Sequence, residues 1–166
     1  MLNGSALLAQ DPYDAWKGVY HPYHQNVTAS TPAPRGYKPF YISHIGRHGS
    51  RCPVTPGYVG NGLTPLLKAD SLGLLTAEGK RLLKGFRQLD SASQGTYGLI
   101  NELGAREQQE IARRMAAAYP RVFRQKDRDS VACYSTHKQR AILSMTNFAA
   151  ALASSAPKVH IGFVAG

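Results

Sequence analysis

A histidine between two arginines is the feature of this 166-residue sequence that most clearly predicts chemistry. The segment reads Gly46-Arg47-His48-Gly49-Ser50-Arg51, with a glycine on each side of the Arg-His pair. A guanidinium group is a planar fork that binds two oxygens of a tetrahedral anion, so two arginines can hold one dianion. A neutral imidazole beside that anion can attack its central atom. The segment therefore predicts a phosphoryl-binding site with His48 as nucleophile and Arg47 and Arg51 as the clamp.

A second basic run supplies a third arginine. Ser135-Thr136-His137-Lys138-Gln139-Arg140 follows an apolar segment that we expect to be a strand. In an open parallel sheet, ligands bind beyond the carboxyl ends of the strands, where neighbouring loops share one edge. We therefore expect Arg140 to join the clamp as a catalytic and substrate-binding residue, and His137 and Lys138 to contact the substrate.

The elements that would position these residues alternate between strands and helices. An apolar run at residues 40–45 predicts a buried strand directly before the Arg-His segment, and residues 130–135 and 159–164 predict two more. Pro and Gly predict a loop over residues 53–62. Strands separated by helices favour a parallel sheet with helices packed on it. The predicted fold class is α/β, a partial three-layer fold with a mostly parallel sheet flanked by helices.

Three helices are predicted from capping residues and apolar spacing. Thr76 and Asn101 are suitable N-caps, the second for a helix from Glu102 to about Tyr119, before Pro120. A third helix follows the basic run. The apolar faces expected to be buried are Leu82, Leu83, Phe86 and Leu89 in the first helix, Leu103, Ile111, Met115 and Ala118 in the second, and Ala141, Met145, Phe148 and Leu152 in the third.

Composition restricts the class of protein. Hydrophobic residues make up 43% and charged residues 18% of the sequence, which excludes a disordered polyelectrolyte. No apolar run approaches the roughly 20 residues that a membrane span requires. The net charge of +10 favours an anionic partner, but the basic residues are scattered, so we expect no nucleic-acid binding.

The chain is expected to divide near residue 38. Residues 1–38 predict an extended lead-in, in which residues 1–10 could be the remnant of a signal peptide or of cloning. Residues 39–166 predict the ordered α/β domain. Cys52 and Cys133 are expected to be free thiols near the catalytic edge, with a disulfide as the alternative if the strands adjoin in an oxidising compartment.

The motifs resemble the histidine phosphatase superfamily, in the branch of acid phosphatases and phytases. Arg47-His48-Gly49-Ser50-Arg51-Cys52-Pro53 resembles the family's Arg-His-Gly-x-Arg-x-Pro (RHG) signature, and residues 101–108 resemble its Leu-Thr-x-x-Gly-x-x-Gln helix start, with Asn101 in the Thr place. Residues 134–148 resemble its later arginine motif, in which Arg140 is followed eight residues on by Phe148. Residues 17–20 and 34–40 look most like bacterial multiple inositol polyphosphate phosphatases.

The resemblance implies hydrolysis of a phosphomonoester through a phosphohistidine formed on His48. It implies Arg47, Arg51 and Arg140 as the clamp on the phosphoryl group, whose equatorial charge they stabilise. Their charge makes a metal or another cofactor unnecessary. The implied substrate class is the inositol polyphosphates, and the implied location is periplasmic or secreted. No statement about oligomeric state follows from the sequence.

One family motif is missing from the sequence. The family's later His-Asp or His-Ala-Glu string supplies the acid that protonates the leaving alcohol, and neither string occurs here. We therefore expect an N-terminal fragment, incomplete relative to the family. General acid catalysis contributes about 10²–10⁴-fold, so we expect weak or no activity from this chain alone. The alternatives are a non-catalytic phosphate-binding module or a degenerate phosphatase homologue; Arg51 argues against the mutase branch.

Overall fold

The computed structural model describes Tyr23, residues 31–123 and residues 130–165. The described residues from Pro32 onwards belong to one compact unit. Most of the lead-in predicted at residues 1–38 falls outside the described residues, and the proposed remnant at residues 1–10 falls wholly outside them. The division of the chain near residue 38 stays a prediction.

Helices dominate the described residues, and a small parallel sheet accompanies them. The elements are α1 (Gly57–Ser71), α2 (Ala77–Ser93), α3 (Glu102–Ala118), β1 (Ser130–Ser135), α4 (Gln139–Ser155) and β2 (His160–Ala165). The strands β1 and β2 pair in parallel, from Ser130 opposite His160 to Ser135 opposite Ala165, and α4 is the crossover between them. A partial α/β fold is confirmed, with the strands at residues 130–135 and 159–164 nearly where the apolar pattern predicts them.

The buried strand predicted at residues 40–45 is wrong. The described structure has no strand there, and Phe40 and Ile45 are 82% and 96% exposed. A strand needs a hydrogen-bonded neighbour and an apolar surface to cover its side chains, and the described residues form no ladder with this segment. The apolar run is therefore mostly exposed, and Ile42 and His44 line a cavity described below.

The loop predicted over residues 53–62 is also wrong from Gly57 onwards, where α1 begins. Pro56, which precedes the helix, already has helical dihedral angles, φ −54° and ψ −31°, and proline tolerates the first turn because no donor is needed there. Gly62 allows α1 to approach α2, since a Cβ at this position would lie 2.5 Å from Cζ of Phe86. Helix packing therefore overrides the local preference of glycine and proline for a loop.

The two predicted N-caps are confirmed. Thr76 Oγ1 accepts a hydrogen bond from the Gly79 amide at 3.1 Å, and α2 starts at the next residue. Asn101 Oδ1 accepts from the Gly104 amide at 2.9 Å, and α3 starts at Glu102. Each cap satisfies one amide that lacks a partner within its own helix.

The buried face of α3 differs from the predicted stripe. Leu103 is 44% exposed and Ala118 is exposed, while Ile111 and Met115 are half-buried. The residues buried in α3 are Gly104, Glu107, Gln108, Ala112 and Ala116. Ala112 and Ala116 on this face pack in the core against α4, whose buried residues are Ser144, Ala149, Ala151 and Leu152. In α2, Leu83 is 3% exposed but Leu82 and Leu89 are 49% and 48% exposed, so only part of that predicted face is buried.

Among the described helices, none combines the length and the apolar character that a bilayer span requires.

Replacing Asn101 with alanine is expected to destabilise the domain by about 1 kcal/mol, because the Gly104 amide loses its capping acceptor. Urea denaturation would show a lower midpoint with an unchanged slope. Asn101→Ser keeps a capping oxygen and serves as the matched control, so a loss of equal size in both variants would contradict the capping role.

Candidate active site

The loop at residues 47–52, called here the signature loop, lies against the first turns of α3. A Cβ on Gly104 would overlap the backbone oxygen of Ser50, and a Cβ on Gly49 would overlap the backbone of Gly104. The Asn101 amide also donates to the Ser50 carbonyl at 3.0 Å. Two glycines on separate elements therefore allow the loop and the helix to meet backbone to backbone.

Two polar side chains of α3 hold the signature loop. Glu107 is 8% exposed, and its carboxylate accepts from the Ser50 amide at 2.8 Å and from the Ser50 hydroxyl at 2.9 Å. Gln108, 7% exposed, donates from Nε2 to the Arg47 carbonyl at 3.1 Å. Hydrogen bonds to a charged acceptor are shorter and stronger than neutral ones, so Glu107 is the stronger of these two anchors.

The helix α4 supplies a third anchor. The buried Ser144 hydroxyl accepts from the Gly49 amide at 3.0 Å and donates to the Arg140 carbonyl at 2.7 Å. Ser144 thus joins the signature loop to the first turn of α4, the turn that carries Arg140. Between α3 and α4, Gln109 donates to Asn147 at 2.9 Å, which helps to keep the two helices in register.

The imidazole of His48 is held by the backbone of its own loop. Its Nδ1 lies 2.8 Å from the carbonyl oxygen of Gly49. A carbonyl oxygen can only accept, so Nδ1 carries the proton in this hydrogen bond. In the neutral ring the lone pair is then on Nε2. The loop geometry therefore selects the tautomer in which Nε2 is available as a nucleophile.

A cavity of about 700 Å³ adjoins this loop. Its polar lining includes Arg47, His48, Gln108 and Ser144, together with Ser135 and Thr136 at the end of β1. Apolar side chains make up much of the rest: Ile42, Met115, Phe123, Val131, Met145, Phe148 and Leu152. Among the described residues that line it, none is Asp or Glu. The cavity can bind an anion at its polar part, but its described lining offers no carboxylic acid as a proton donor.

Two other reactive side chains line the same cavity. Burial raises the pKa of the Cys133 thiol, so the thiol stays protonated and is a poor nucleophile. His44 stacks on Phe148, with ring centroids 5.3 Å apart and planes 8° apart. Cys52 is also a free thiol but is not among the cavity-lining residues. His48 therefore remains the best-placed nucleophile in the cavity.

The predicted clamp residues fall in two places. Arg47 and His48 meet at the cavity, whereas Arg51 and Arg140 are not among its lining residues. Arg51 forms an antiparallel backbone bridge with Ile100 and donates from Nη1 to the Cys52 carbonyl at 3.1 Å. Arg140 Nη1 is 3.7 Å from the position that a Cβ on Gly98 would take. The convergence of all three guanidinium groups on one anion stays a prediction.

The two further predicted substrate contacts are exposed. His137 and Lys138 lie in the turn between β1 and α4, and the Lys138 carbonyl accepts from the amides of Ala141 and Ile142 as the helix starts. Neither side chain is among the cavity-lining residues. The described ranges contain no group of three or more His, Cys, Asp or Glu side chains that could hold a metal ion.

Sequence reasoning missed Glu107 and Ser144 as site residues. Glu107 had left a visible signal, because it occupies the gap of eight residues between Leu103 and Ile111 in the predicted apolar stripe of α3. A carboxylate four residues from each of two apolar positions indicates a buried acid with a partner. Ser144 carries no comparable signal, since serine is common on both faces of helices.

Of the comparisons with known proteins, the one with solved structures gives matches. No protein-family model matches the chain, and no curated protein sequence matches it. The similar solved structures include the multiple inositol polyphosphate phosphatase of Bifidobacterium longum in complex with inositol hexasulfate, with a TM-score of 0.66 and 23% sequence identity over 79% of this chain and 27% of that chain. The same phosphatase in complex with phosphate gives a TM-score of 0.66 and 23% identity over 78% of this chain and 26% of that chain.

These likenesses confirm the predicted fold. The described elements match the fold of part of a multiple inositol polyphosphate phosphatase. The chain spans about a quarter of the length of that solved neighbour, 27% in one complex. At 23% identity the likeness shows the fold alone, so any chemistry has to be inferred from the residues of the site.

Proposed function

We propose that this chain carries the nucleophile and phosphate clamp of a histidine-type phosphatase. The observation that carries the proposal is the hydrogen bond from His48 Nδ1 to the Gly49 carbonyl at 2.8 Å, in a loop whose Arg47 and His48 line one cavity. That bond leaves the Nε2 lone pair for attack on phosphorus. The new N–P bond forms as the P–O ester bond breaks. The leaving oxygen departs as an alkoxide or aryloxide that takes its proton from water, and a second water then hydrolyses the phosphohistidine.

Inositol polyphosphates are the substrate class that we propose, in an acid phosphatase or phytase type of reaction. Two observations support it: the fold is that of part of an inositol polyphosphate phosphatase, and the chain has 20 basic against 10 acidic residues. Arginines bind phosphate oxygens without a metal, so we propose no cofactor. The proposed location is periplasmic or secreted.

The leaving group should decide how fast the described site reacts. The described lining of the cavity has no carboxylic acid, so an alkoxide would leave without its proton. Missing general acid catalysis slows such a step by about 10²–10⁴-fold. An aryl phosphate, whose leaving phenolate needs no proton, is therefore the more sensitive substrate for testing His48 as the nucleophile.

Trapping tests the proposal. Incubation of the purified 166-residue chain with 4-nitrophenyl phosphate, followed by an alkaline quench and peptide mapping, is expected to place an acid-labile phosphate on His48. A slower reaction with inositol hexakisphosphate, by about 10²-fold or more, is expected from the missing acid. No phosphohistidine with either substrate would contradict the proposal.

A second candidate is a non-catalytic phosphate-binding module. The absence of Asp and Glu from the described cavity lining favours it, because binding needs the clamp but no proton donor. Calorimetry with inorganic phosphate separates the two. Binding together with labelling of His48 indicates the phosphatase, and binding without labelling indicates the module.

A further inference from the structure

We propose that Glu107 is a positioning residue that sets the tautomer and orientation of His48 through the peptide group between Gly49 and Ser50. The carbonyl and the amide of one peptide group point in opposite directions and are held in one plane. In this peptide group the carbonyl of Gly49 accepts from His48 Nδ1 at 2.8 Å. The amide of Ser50 donates to Glu107 Oε2 at 2.8 Å. The inference rests on the proposed function of His48 as nucleophile.

The two hydrogen bonds therefore link the Glu107 carboxylate to the His48 imidazole through one peptide group. Negative charge at the amide end polarises the peptide group and makes its carbonyl a better acceptor, because linked hydrogen bonds strengthen one another. A better acceptor holds the proton on Nδ1 more firmly. The lone pair then stays on Nε2, and the plane of the ring is fixed with the plane of the peptide group.

Burial makes Glu107 suited to this role. Its side chain is 8% exposed, and both oxygens accept, Oε1 from the Ser50 hydroxyl at 2.9 Å and Oε2 from the amide. Acceptance at both oxygens is the behaviour of an ionised carboxylate. Neighbouring anchors hold the adjacent peptide groups, since Gln108 binds the Arg47 carbonyl and Ser144 binds the Gly49 amide. The loop is thus fixed at three successive peptide groups, and Glu107 supplies the charge.

The test variant is Glu107→Gln, which keeps the shape and one acceptor oxygen but removes the charge. Charge-assisted hydrogen bonds are roughly twice as strong as neutral ones, so we expect labelling of His48 by saturating 4-nitrophenyl phosphate to slow by about tenfold. Long-range ¹H–¹⁵N NMR of the His48 ring, without substrate, is expected to show the Nδ1–H tautomer in the unmodified chain and a mixture of tautomers in the variant. Labelling at the original rate, or an unchanged tautomer, overturns the proposal.

Two control variants separate positioning from folding. Glu102→Gln lies on the same helix, with 85% of its side chain exposed, and is expected to change neither the rate nor the tautomer. Ser50→Ala removes the hydroxyl but keeps the peptide group, so the Nδ1–H tautomer is expected to persist and labelling to stay within about twofold. Loss of the tautomer in Ser50→Ala overturns the proposal, even if Glu107→Gln does not fold.

The NMR readout also distinguishes this inference from the proposed function. If the unmodified chain forms no phosphohistidine, the phosphatase proposal fails. The tautomer of His48 in the unmodified chain and in Glu107→Gln still decides whether Glu107 positions the ring.

Discussion

The substitution His48→Ala is expected to abolish phosphorylation of the chain by 4-nitrophenyl phosphate. Alanine removes the imidazole whose lone pair the loop presents to the cavity. Of the other cavity-lining candidates, Cys133 on β1 is held protonated by burial, and His44 is stacked on Phe148. Inorganic phosphate is expected to bind nearly as well as before, because the arginines are untouched. The measurement is mass spectrometry of the quenched chain beside calorimetry with phosphate.

The control for this variant is His160→Ala. His160 is exposed at the start of β2 and is not among the cavity-lining residues, so its removal is expected to leave labelling unchanged. His48 is half-buried, and the stability of His48→Ala should fall by no more than about 1 kcal/mol. Persistent labelling of a folded His48→Ala chain would mean that another residue is the nucleophile.

The second large effect is expected from Gly104→Ala. A Cβ at Gly104 would lie 2.5 Å from the Ser50 amide nitrogen and would overlap its carbonyl oxygen. Both obstacles are backbone atoms, which cannot rotate away as a side chain can. Overpacking typically costs 1–3 kcal/mol, so we expect about 3 kcal/mol of destabilisation and displacement of the signature loop from α3. Urea denaturation measures the destabilisation, and loss of His48 labelling reports the displacement of the signature loop.

The matched control is Gly85→Ala in the interior of α2. A Cβ at Gly85 would meet nothing within 4 Å, so alanine there removes backbone freedom from the unfolded chain without a clash. Such a change is expected to stabilise the domain by roughly 0.5–1 kcal/mol. Opposite signs for the same substitution would show that the close approach of the loop, and not helix propensity, determines the effect at Gly104. Destabilisation by Gly104→Ala no greater than that of an ordinary surface change would refute the close approach.

Local patterns predicted the features that depend on neighbours in the chain. Thr76 and Asn101 cap helices because a side-chain oxygen can reach an amide three residues on, and that geometry needs no tertiary contact. The strand β1 was predicted at its observed bounds, Ser130–Ser135, by a short apolar run before polar residues. The arginine and histidine motifs likewise predicted the fold that the solved phosphatase shares.

Tertiary contacts decided the features that depend on distant residues. The exposed segment at residues 40–45 has the composition of a strand but no ladder partner among the described residues. Helix α1 forms over a stretch rich in glycine and proline, where Gly62 packs closely against Phe86 of α2. The signature loop is held by Glu107, 57 residues from Ser50, and by Ser144, 95 residues from Gly49. The sequence by itself therefore predicted which residues would bind and transfer a phosphoryl group. Only the packing of α3 and α4 decided how they are held, because a local pattern can mark Glu107 as buried but cannot identify a hydrogen-bond partner 57 residues away.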